Sequence, residues 1–370
     1  MSRQRTKSRS RRPVLEGLET RALLNASFIE NLPGTPQLTV STIPASGDLN
    51  PYGVAFVPAK FPSNSPIHPG DVLVSNFNAG SNLQGTGSTI VDVAPSGKVS
   101  TFFQGAPGLG LTTALGVLQR GIVIVGALPT TDGTSATVGQ GSILLINRFG
   151  QEIANISNQT FLNGPWDMTV VDHGATASVF ISSVLSGAVS RIDVWVPQNG
   201  SYVVVKDAVQ IASGYTHRTD PSALVLGPTG LAYDTIHDVL YVASTADNAI
   251  YALPHAGKSK GDHGVGIPVF ADPTYLHGPL GLVLAQNGNL IAANGDAINP
   301  DPNQQSEIVE FTPYGKFVAQ FSLDPGNAAA PFGITTTTNR QNFVYFAAVN
   351  DVTNQLEVFW FHVPHNNKHK

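Results

Sequence analysis

Short apolar runs separated by polar turns recur along the chain in one fixed order. A turn containing Gly or Pro precedes the first run of each copy, and the copies start at intervals of about 50 to 64 residues. The six starts are NPYGVAF (50–56), TALGVL (113–118), GPWDMTV (164–170), GPTGLAY (227–233), GPLGLVL (278–284) and APFGITT (330–336). A period of this length indicates one supersecondary unit repeated six times.

Each start leads into a second and a third apolar run, and in five copies into a fourth. The second runs are DVLVSNF (71–77), GIVIVGA (121–127), SVFISSV (178–184), VLYVAST (239–245), NLIAANG (289–295) and NFVYFAAV (342–349). The runs are rich in Val, Ile, Phe and Tyr and are bounded by Gly, Pro, Asn and Asp, which predicts β-strands joined by tight turns. Second runs such as GIVIVGA (121–127) are apolar on both faces, so both of their faces are expected to be covered.

The sixth copy ends near the C-terminus after only three strands. Residues 37–43 (QLTVSTI) precede the first copy and can supply the missing strand. An open array would leave unpaired strand edges, and closing a ring removes them. The sequence therefore predicts an all-β fold: a single six-bladed β-propeller of four-stranded blades over residues 37–363, whose last blade is completed by an N-terminal strand. Residues 1–30 and 364–370 are expected to be disordered extensions.

Composition and charge narrow the possible partners. Charged residues make up 12% of the chain and Cys is absent, which excludes a disulfide framework or a thiolate metal site. Residues 1–12 contain five Arg and one Lys, whereas residues 22–370 contain 13 basic and 23 acidic residues. An acidic body repels phosphates, so no nucleic-acid partner is expected. No apolar run reaches the length of about 20 residues that spans a bilayer, and we expect a monomer.

The segment that follows the basic head resembles the LEPR-XLL element of planctomycete exported and surface proteins. The matching residues are Leu15, Glu16, Leu18, Glu19, Arg21, Leu23 and Leu24. Gly17 and Thr20 depart from that pattern. The resemblance implies that residues 1–30 are an export or sorting segment and that the protein acts at the cell envelope or outside.

The repeat itself resembles NHL repeats and the related senescence-marker/gluconolactonase propellers. The matching stretches are 228–232 (PTGLA) and 240–243 (LYVA), with 279–282 (PLGL) and 290–292 (LIA) as a second copy. The resemblance implies a site like that of the metal-dependent lactonases of this group, in which a Glu, an Asn and an Asp hold a divalent cation on the axis. The residue expected at the axis in each copy is Tyr52, Leu115, Trp166, Thr229, Leu280 or Phe332. Because none is a carboxylate or Asn, and because Ser244 stands where the pattern has Asp, we expect neither a metal site nor another cofactor, calcium included.

Two groups of side chains are candidates for a ligand site at the axial mouth. Tyr52, Trp166 and Phe332, with Thr229, begin first strands and should converge on the axis, where aromatic rings either stack on a small or sugar-like ligand or fill the channel. Polar residues follow the second strands on the same rim: Asn76, Asn78, Asn294, Asp296, Asn350 and Asp351. These either line a site or end the strands by bonding their own backbone. We select Asn76, Asn294 and Asp296 from this second group.

No catalytic constellation stands out, and His residues such as His237 and His277 fall in turns or at turn boundaries. The sequence therefore favours a non-catalytic scaffold that binds a protein, a small molecule or a carbohydrate at one face of the ring. The alternative is a hydrolase or lyase of the lactonase-like propeller type with a divergent axial site.

Overall fold

Six antiparallel sheets of four strands each surround a central axis in the computed structural model, which describes residues 27–363. The closing strand and the first three blades comprise β1 (Leu38–Ser41), β2 (Leu49–Phe56), β3 (Val72–Asn78), β4 (Thr89–Val93), β5 (Val99–Gln104), β6 (Leu111–Leu118), β7 (Ile122–Ala127), β8 (Ser142–Asn147), β9 (Glu152–Ile156), β10 (Pro165–Asp172), β11 (Thr176–Ser183), β12 (Ala188–Trp195) and β13 (Val204–Ser213). A two-stranded hairpin and the last three blades comprise β14 (Arg218–Asp220), β15 (Leu224–Leu226), β16 (Pro228–Asp234), β17 (Val239–Ser244), β18 (Ala249–Pro254), β19 (Ile267–Phe270), β20 (Pro279–Leu284), β21 (Leu290–Asn294), β22 (Glu307–Phe311), β23 (Phe317–Ser322), β24 (Pro331–Thr338), β25 (Phe343–Asn350) and β26 (Gln355–His362). The predicted six-bladed propeller is confirmed.

The predicted closure is also confirmed. β1 pairs antiparallel with β26, with Leu38 opposite Val358 and Ser41 opposite Gln355, so the last blade is ordered β1-β26-β25-β24. The first and last parts of the described chain thus share one sheet. This pairing joins the two ends of the array of blades, so the ring is closed.

The core lies between blades. Apolar clusters join neighbouring sheets, and strands such as β3, β7 and β21 are buried at every position. This agrees with the two apolar faces of second runs such as GIVIVGA, because each face of a blade meets a neighbouring blade.

Residues 27–32 pack against the fifth and sixth blades. The buried Glu310 carboxylate accepts hydrogen bonds from Ser27 Oγ at 2.7 Å and from the backbone amides of Phe28 and Ile29, each at 2.9 Å. Phe28, Ile29 and Leu32 are buried in the same apolar cluster. The predicted extensions lie outside the described residues except for 27–30, and the predicted domain limits stay predictions.

Three short 3-10 helices complete the described chain: Ile29–Asn31, Ser135–Thr137 and Ala256–Lys258. Among residues 27–363, no helix has the length and hydrophobicity to cross a bilayer.

Candidate functional site

Four aromatic rings fill the axis at the end where the innermost strands begin. Tyr52, Trp166 and Phe332 come from the first, third and sixth blades, and Phe77 of β3 joins them. Tyr52 stacks on Phe77 with ring centroids 4.5 Å apart, and Trp166 meets Phe77 edge-on at 5.7 Å. The structure therefore brings together the three aromatic residues selected from the sequence, and we call the four rings the aromatic plug.

The aromatic plug is covered from outside. Only 5% of Tyr52 and 3% of Trp166 is exposed. Leu128 and the β15 residues Leu224 and Val225 belong to the same buried cluster. The loop after β7 and the β14–β15 hairpin thus close this end of the axis. Ligand contact by the plug residues stays a prediction.

A register shift at the start of each innermost strand aims these side chains inward. In the fourth blade Pro228 pairs with Ser244, and pairing resumes only at Leu231. The other blades shift in the same place. A bulge of this kind turns side chains away from the regular alternation of a strand.

The expectation of Leu115 at the axis is wrong for the second blade. Pairing there resumes at Leu115, as it does at Leu231 in the fourth blade, so Leu115 lies past the bulge. Thr113 occupies the place equivalent to Tyr52, because its carbonyl approaches Gly53 as the carbonyl of Tyr52 approaches Gly333. The bulge in the second blade runs from Leu111 to Leu115 and is one residue longer than the bulge from Pro228 to Leu231. This extra residue displaced the sequence alignment of the second copy with the others.

Two of the selected polar residues serve neighbouring backbone. The buried Asn76 Nδ2 donates to the Thr42 carbonyl at 3.0 Å and to Thr89 Oγ1 at 3.1 Å. Thr229 Oγ1 donates to the Pro279 carbonyl of the next blade at 3.0 Å. Neither joins the aromatic plug. These bonds hold β3 to the chain before it and the fourth blade to the fifth.

Asn294 and Asp296 lie together at the fifth blade with His277 and Glu307. Asn294 Oδ1 accepts from the His277 amide at 3.1 Å, and Asn294 Nδ2 donates to Glu307 Oε2 at 3.3 Å. The Asp296 carboxylate accepts from the Ala329 amide at 2.8 Å. Burial raises the pKa of Asp296 and of Glu307. Asn294 and Asp296 are selected as site residues from the sequence, whereas His277 and Glu307 are not.

The described residues at the axis do not form the Glu, Asn and Asp ligand set that the resemblance to metal-dependent lactonases implies. A hard divalent cation requires several converging oxygen ligands, and apolar rings fill that position here. Thr229 Oγ1 and Ser244 Oγ, at the places of the pattern's Asn and Asp, bond to Pro279 and Asp247. Within residues 27–363, no group of three His, Cys, Asp or Glu residues has the geometry to hold a metal ion. The expectation that no cofactor binds stays a prediction.

A polar pocket of about 320 Å³ lies on the same rim, where the sixth blade meets the first. Its lining residues are Asn50, Asn78, Asn82, Gln84, Asp351, Val352 and Asn354. We call it the seam pocket. Loops from the two ends of the described chain build it, and only the closed ring brings them together.

Turn geometry fixes the amides of the seam pocket. Asn50, Asn82 and Asn354 have positive φ values of 61°, 59° and 56°, a conformation that Asn tolerates better than most residues. Asn354 Oδ1 accepts from the Asn50 amide at 2.7 Å, and Asn78 Nδ2 donates to Asn82 Oδ1 at 2.9 Å. Asn78 Oδ1 is buried without a hydrogen-bond partner among the described residues. The pocket thus presents fixed amide groups of the kind that bind hydroxyl-rich molecules.

Asp351 supplies the ionisable group of the seam pocket. Its backbone amide donates to the Ala330 carbonyl at 3.0 Å, which fixes the turn after β25. Its Oδ1 is buried and has no hydrogen-bond partner in the described part of the chain. Burial raises the pKa of this carboxyl to about 7. Asp351 is therefore poised to accept or donate a proton near neutral pH.

Tyr52 connects the seam pocket to the aromatic plug. Its hydroxyl is hydrogen-bonded to the Asn50 side chain, and burial together with the negative charge of Asp351 raises its pKa. The hydroxyl therefore stays protonated at neutral pH.

Comparison with protein-family models and with curated proteins gives no match. Among solved structures, the chain resembles a gluconolactonase from Xanthomonas campestris at 13% identity, with 89% of this chain and 91% of that chain covered and a TM-score of 0.50. It also resembles a calcium-binding regucalcin from Agrobacterium tumefaciens at 13% identity, covering 90% and 94%, with a TM-score of 0.50. A putative glucose dehydrogenase from Thermus thermophilus matches at 12% identity, covering 88% and 99%, with a TM-score of 0.50. Identities this low show the six-bladed fold alone.

The expectation of a non-catalytic scaffold is contradicted by this comparison. Two of the three similar propellers are described as enzymes, a gluconolactonase and a putative glucose dehydrogenase. The lactonase-like alternative is therefore taken up as a proposal below. The resemblance to gluconolactonase-type propellers is supported at the level of the fold, whereas NHL repeats and the LEPR-XLL element receive no support.

Proposed function

We propose that this protein is a hydrolase of the lactonase-like propeller type that opens a small, hydroxyl-rich lactone in the seam pocket. The observation that carries the proposal is the Asp351 carboxyl, which combines a pKa of about 7 with an unpartnered Oδ1 beside a pocket of about 320 Å³. Similarity to a solved gluconolactonase adds support for this class of substrate.

The amides of the seam pocket suit a sugar-like substrate. A sugar lactone carries several hydroxyl groups, each of which can donate and accept hydrogen bonds. Side chains of Asn78, Asn82, Gln84 and Asn354 offer both donors and acceptors around the pocket. Several such bonds orient the ring and hold its carbonyl carbon near Asp351.

In the proposed reaction Asp351 acts as general base and then as general acid. Its carboxylate removes a proton from a water molecule as the water oxygen bonds to the lactone carbonyl carbon. The tetrahedral intermediate then collapses, the bond from that carbon to the ring oxygen breaks, and protonated Asp351 returns the proton to the leaving alkoxide. Water and lactone become one hydroxy acid, and amide N–H groups of the pocket stabilise the oxyanion.

The test is hydrolysis of glucono-1,5-lactone, followed by acid release in weak buffer and corrected for the spontaneous reaction. We expect kcat/KM to rise with pH and level off above about pH 7, because the base must be ionised. Asp351→Asn should lower kcat/KM about a hundredfold or more. Asp132→Asn is the matched control, because Asp132 is an exposed Asp that does not line the seam pocket.

Three outcomes would contradict the proposal: no hydrolysis by the wild-type protein, equal activity of Asp351→Asn and wild type, or an equal loss in Asp132→Asn. Loss of wild-type activity on chelation, with full recovery on adding a divalent cation, would contradict the assignment of Asp351 as a base that acts without a metal.

A further inference from the structure

A second cavity lies on the axis, on the other side of the aromatic plug from the closed mouth. It has a volume of about 280 Å³, and its lining starts immediately past the plug, since Asp167 follows Trp166 and Gly333 follows Phe332. Apolar side chains such as Leu115, Met168 and Leu231 share the wall with several threonines. We call it the axial cavity.

Asp167 is an exception to the repeat. The equivalent residues in four other blades are Gly53, Gly230, Gly281 and Gly333, each next to the residue at the axis. A Cβ at Gly230 would lie 2.3 Å from the Leu280 carbonyl of the next blade, so those blades admit no side chain there. The third blade alone carries a carboxyl at this level of the ring.

The carboxyl of Asp167 is held in place by backbone. Its Oδ1 accepts from its neighbour's amide, Met168 N, at 2.7 Å, and the Leu231 amide of the next blade also bonds to it. Only 9% of the residue is exposed. Burial raises the pKa of Asp167 to about 8. None of the described residues that line the cavity has a cationic side chain that would offset this effect.

A second polar group of the axial cavity has no partner. Thr113 Oγ1 is buried, with 7% of the residue exposed, and it makes no hydrogen bond to any described residue. Leaving a buried hydroxyl unbonded is unfavourable. The cavity therefore contains a buried carboxyl without a cationic partner and an unused hydroxyl acceptor, and its wall combines threonine side chains with apolar ones.

We propose that the axial cavity binds a small primary alkylammonium ion, whose ammonium group bonds to Asp167 and Thr113 and whose alkyl chain lies against Leu115, Met168 and Leu231. An ammonium group donates three hydrogen bonds and accepts none, so it complements a carboxylate and a free hydroxyl oxygen. The ion pair forms away from water, where charge-assisted hydrogen bonds are strong. The three apolar side chains named above give the alkyl chain a surface to pack against.

Isothermal titration calorimetry with n-butylammonium chloride in amine-free buffers tests this proposal. Binding ionises Asp167, so we expect the release of up to about one proton per site near pH 7, read from the enthalpy in buffers of different ionisation heat. 1-Butanol has the same chain without the charge, and we expect it to bind about tenfold or more weakly.

Substituted proteins distinguish the loss of the carboxyl group from a loss of folding. Asp167→Asn should weaken n-butylammonium binding about tenfold or more, and Thr113→Val should weaken it less, since it removes one neutral acceptor. Glu152→Gln is the control, because it also replaces a carboxyl with an amide, at an exposed site outside the cavity. Circular dichroism checks that each variant is folded, and Thr113→Val keeps the test open should Asp167→Asn unfold.

Absence of n-butylammonium binding at millimolar concentrations would overturn the proposal. Equal binding of 1-butanol, or binding by a folded Asp167→Asn variant as tight as wild type, would do so as well. These measurements do not depend on lactone hydrolysis, because the axial cavity and the seam pocket lie on opposite sides of the aromatic plug.

Discussion

The rings of Tyr52 and Phe332 stack with their centroids 3.9 Å apart and their planes at 10°. Tyr52 belongs to the first blade and Phe332 to the last, so this contact spans the same seam that β1 closes at the outer edge of the ring. The aromatic plug and the closing strand therefore secure one junction from the inside and from the outside.

Removing the inner contact should weaken the whole domain. We expect Phe332→Ala to lower the free energy of unfolding by about 3 kcal/mol, because it opens a cavity within the aromatic plug. Urea denaturation followed by tryptophan fluorescence measures the change, since Trp166 lies in the plug. Phe149→Ala should cost less than about 1 kcal/mol, because Phe149 is 51% exposed. Equal losses in the two variants would show that the plug adds no stability.

The close approach of neighbouring blades should make Gly333 intolerant of a side chain. A Cβ there would lie 2.2 Å from the Tyr52 carbonyl oxygen, which is backbone and cannot turn aside. We expect Gly333→Ala to lower the free energy of unfolding by about 2 kcal/mol or more. Gly261→Ala is the control, since no heavy atom lies within 4 Å of its added Cβ. Denaturant midpoints that match within error would contradict the close approach.

A series of N-terminal truncations should separate two anchors. A chain that starts at residue 37 keeps β1 but loses the bonds of Ser27 to Ile29 with Glu310. A chain that starts at residue 43 also loses β1 and exposes the edge of β26, an arrangement that promotes aggregation. We expect melting temperatures to fall at both steps, with aggregation only at the second, measured by calorimetry and light scattering. A chain that starts at residue 27 is the reference. If the chain that starts at residue 43 stayed soluble and melted at the same temperature as the reference, a closing role of β1 would be contradicted.

The buried Asp167 should make stability depend on pH. Its pKa is 3.8 in the unfolded chain and about 8 in the folded protein. Between these values the unfolded chain releases a proton that the folded protein keeps, so the free energy of unfolding falls as pH rises. The slope from this one group approaches about 1.4 kcal/mol per pH unit, and it ends above the folded pKa.

Asp167→Asn removes that dependence, so its stability should gain on wild type as pH rises from about 5 to 8. Urea denaturation of both proteins across this range gives the difference directly, and other groups cancel because both proteins carry them. Parallel stability curves would contradict the raised pKa. Glu152→Gln should run parallel to wild type.

The sequence by itself determined the repeat, the strands and the ring. The chain contains six starts with Gly or Pro, predominantly apolar second runs and a spare strand at residues 37–43. Closing the ring is the arrangement that pairs the strand edges, because burial and backbone pairing act locally in every copy. The convergence of Tyr52, Trp166 and Phe332 followed from their equal places in the repeat. The substitution of Asp167 for glycine is also visible in the sequence, though its burial is not.

The tertiary structure decided which polar residues meet. Asn50 and Asp351 are about 300 residues apart along the chain, and only the closed ring places both beside one pocket. Asn76 and Thr229 carry polar side chains that the sequence suggested for a ligand site, yet they bond to neighbouring backbone. Side-chain partners and the burial that shifts a pKa depend on contacts between blades, and a repeat pattern specifies the blades without specifying those contacts.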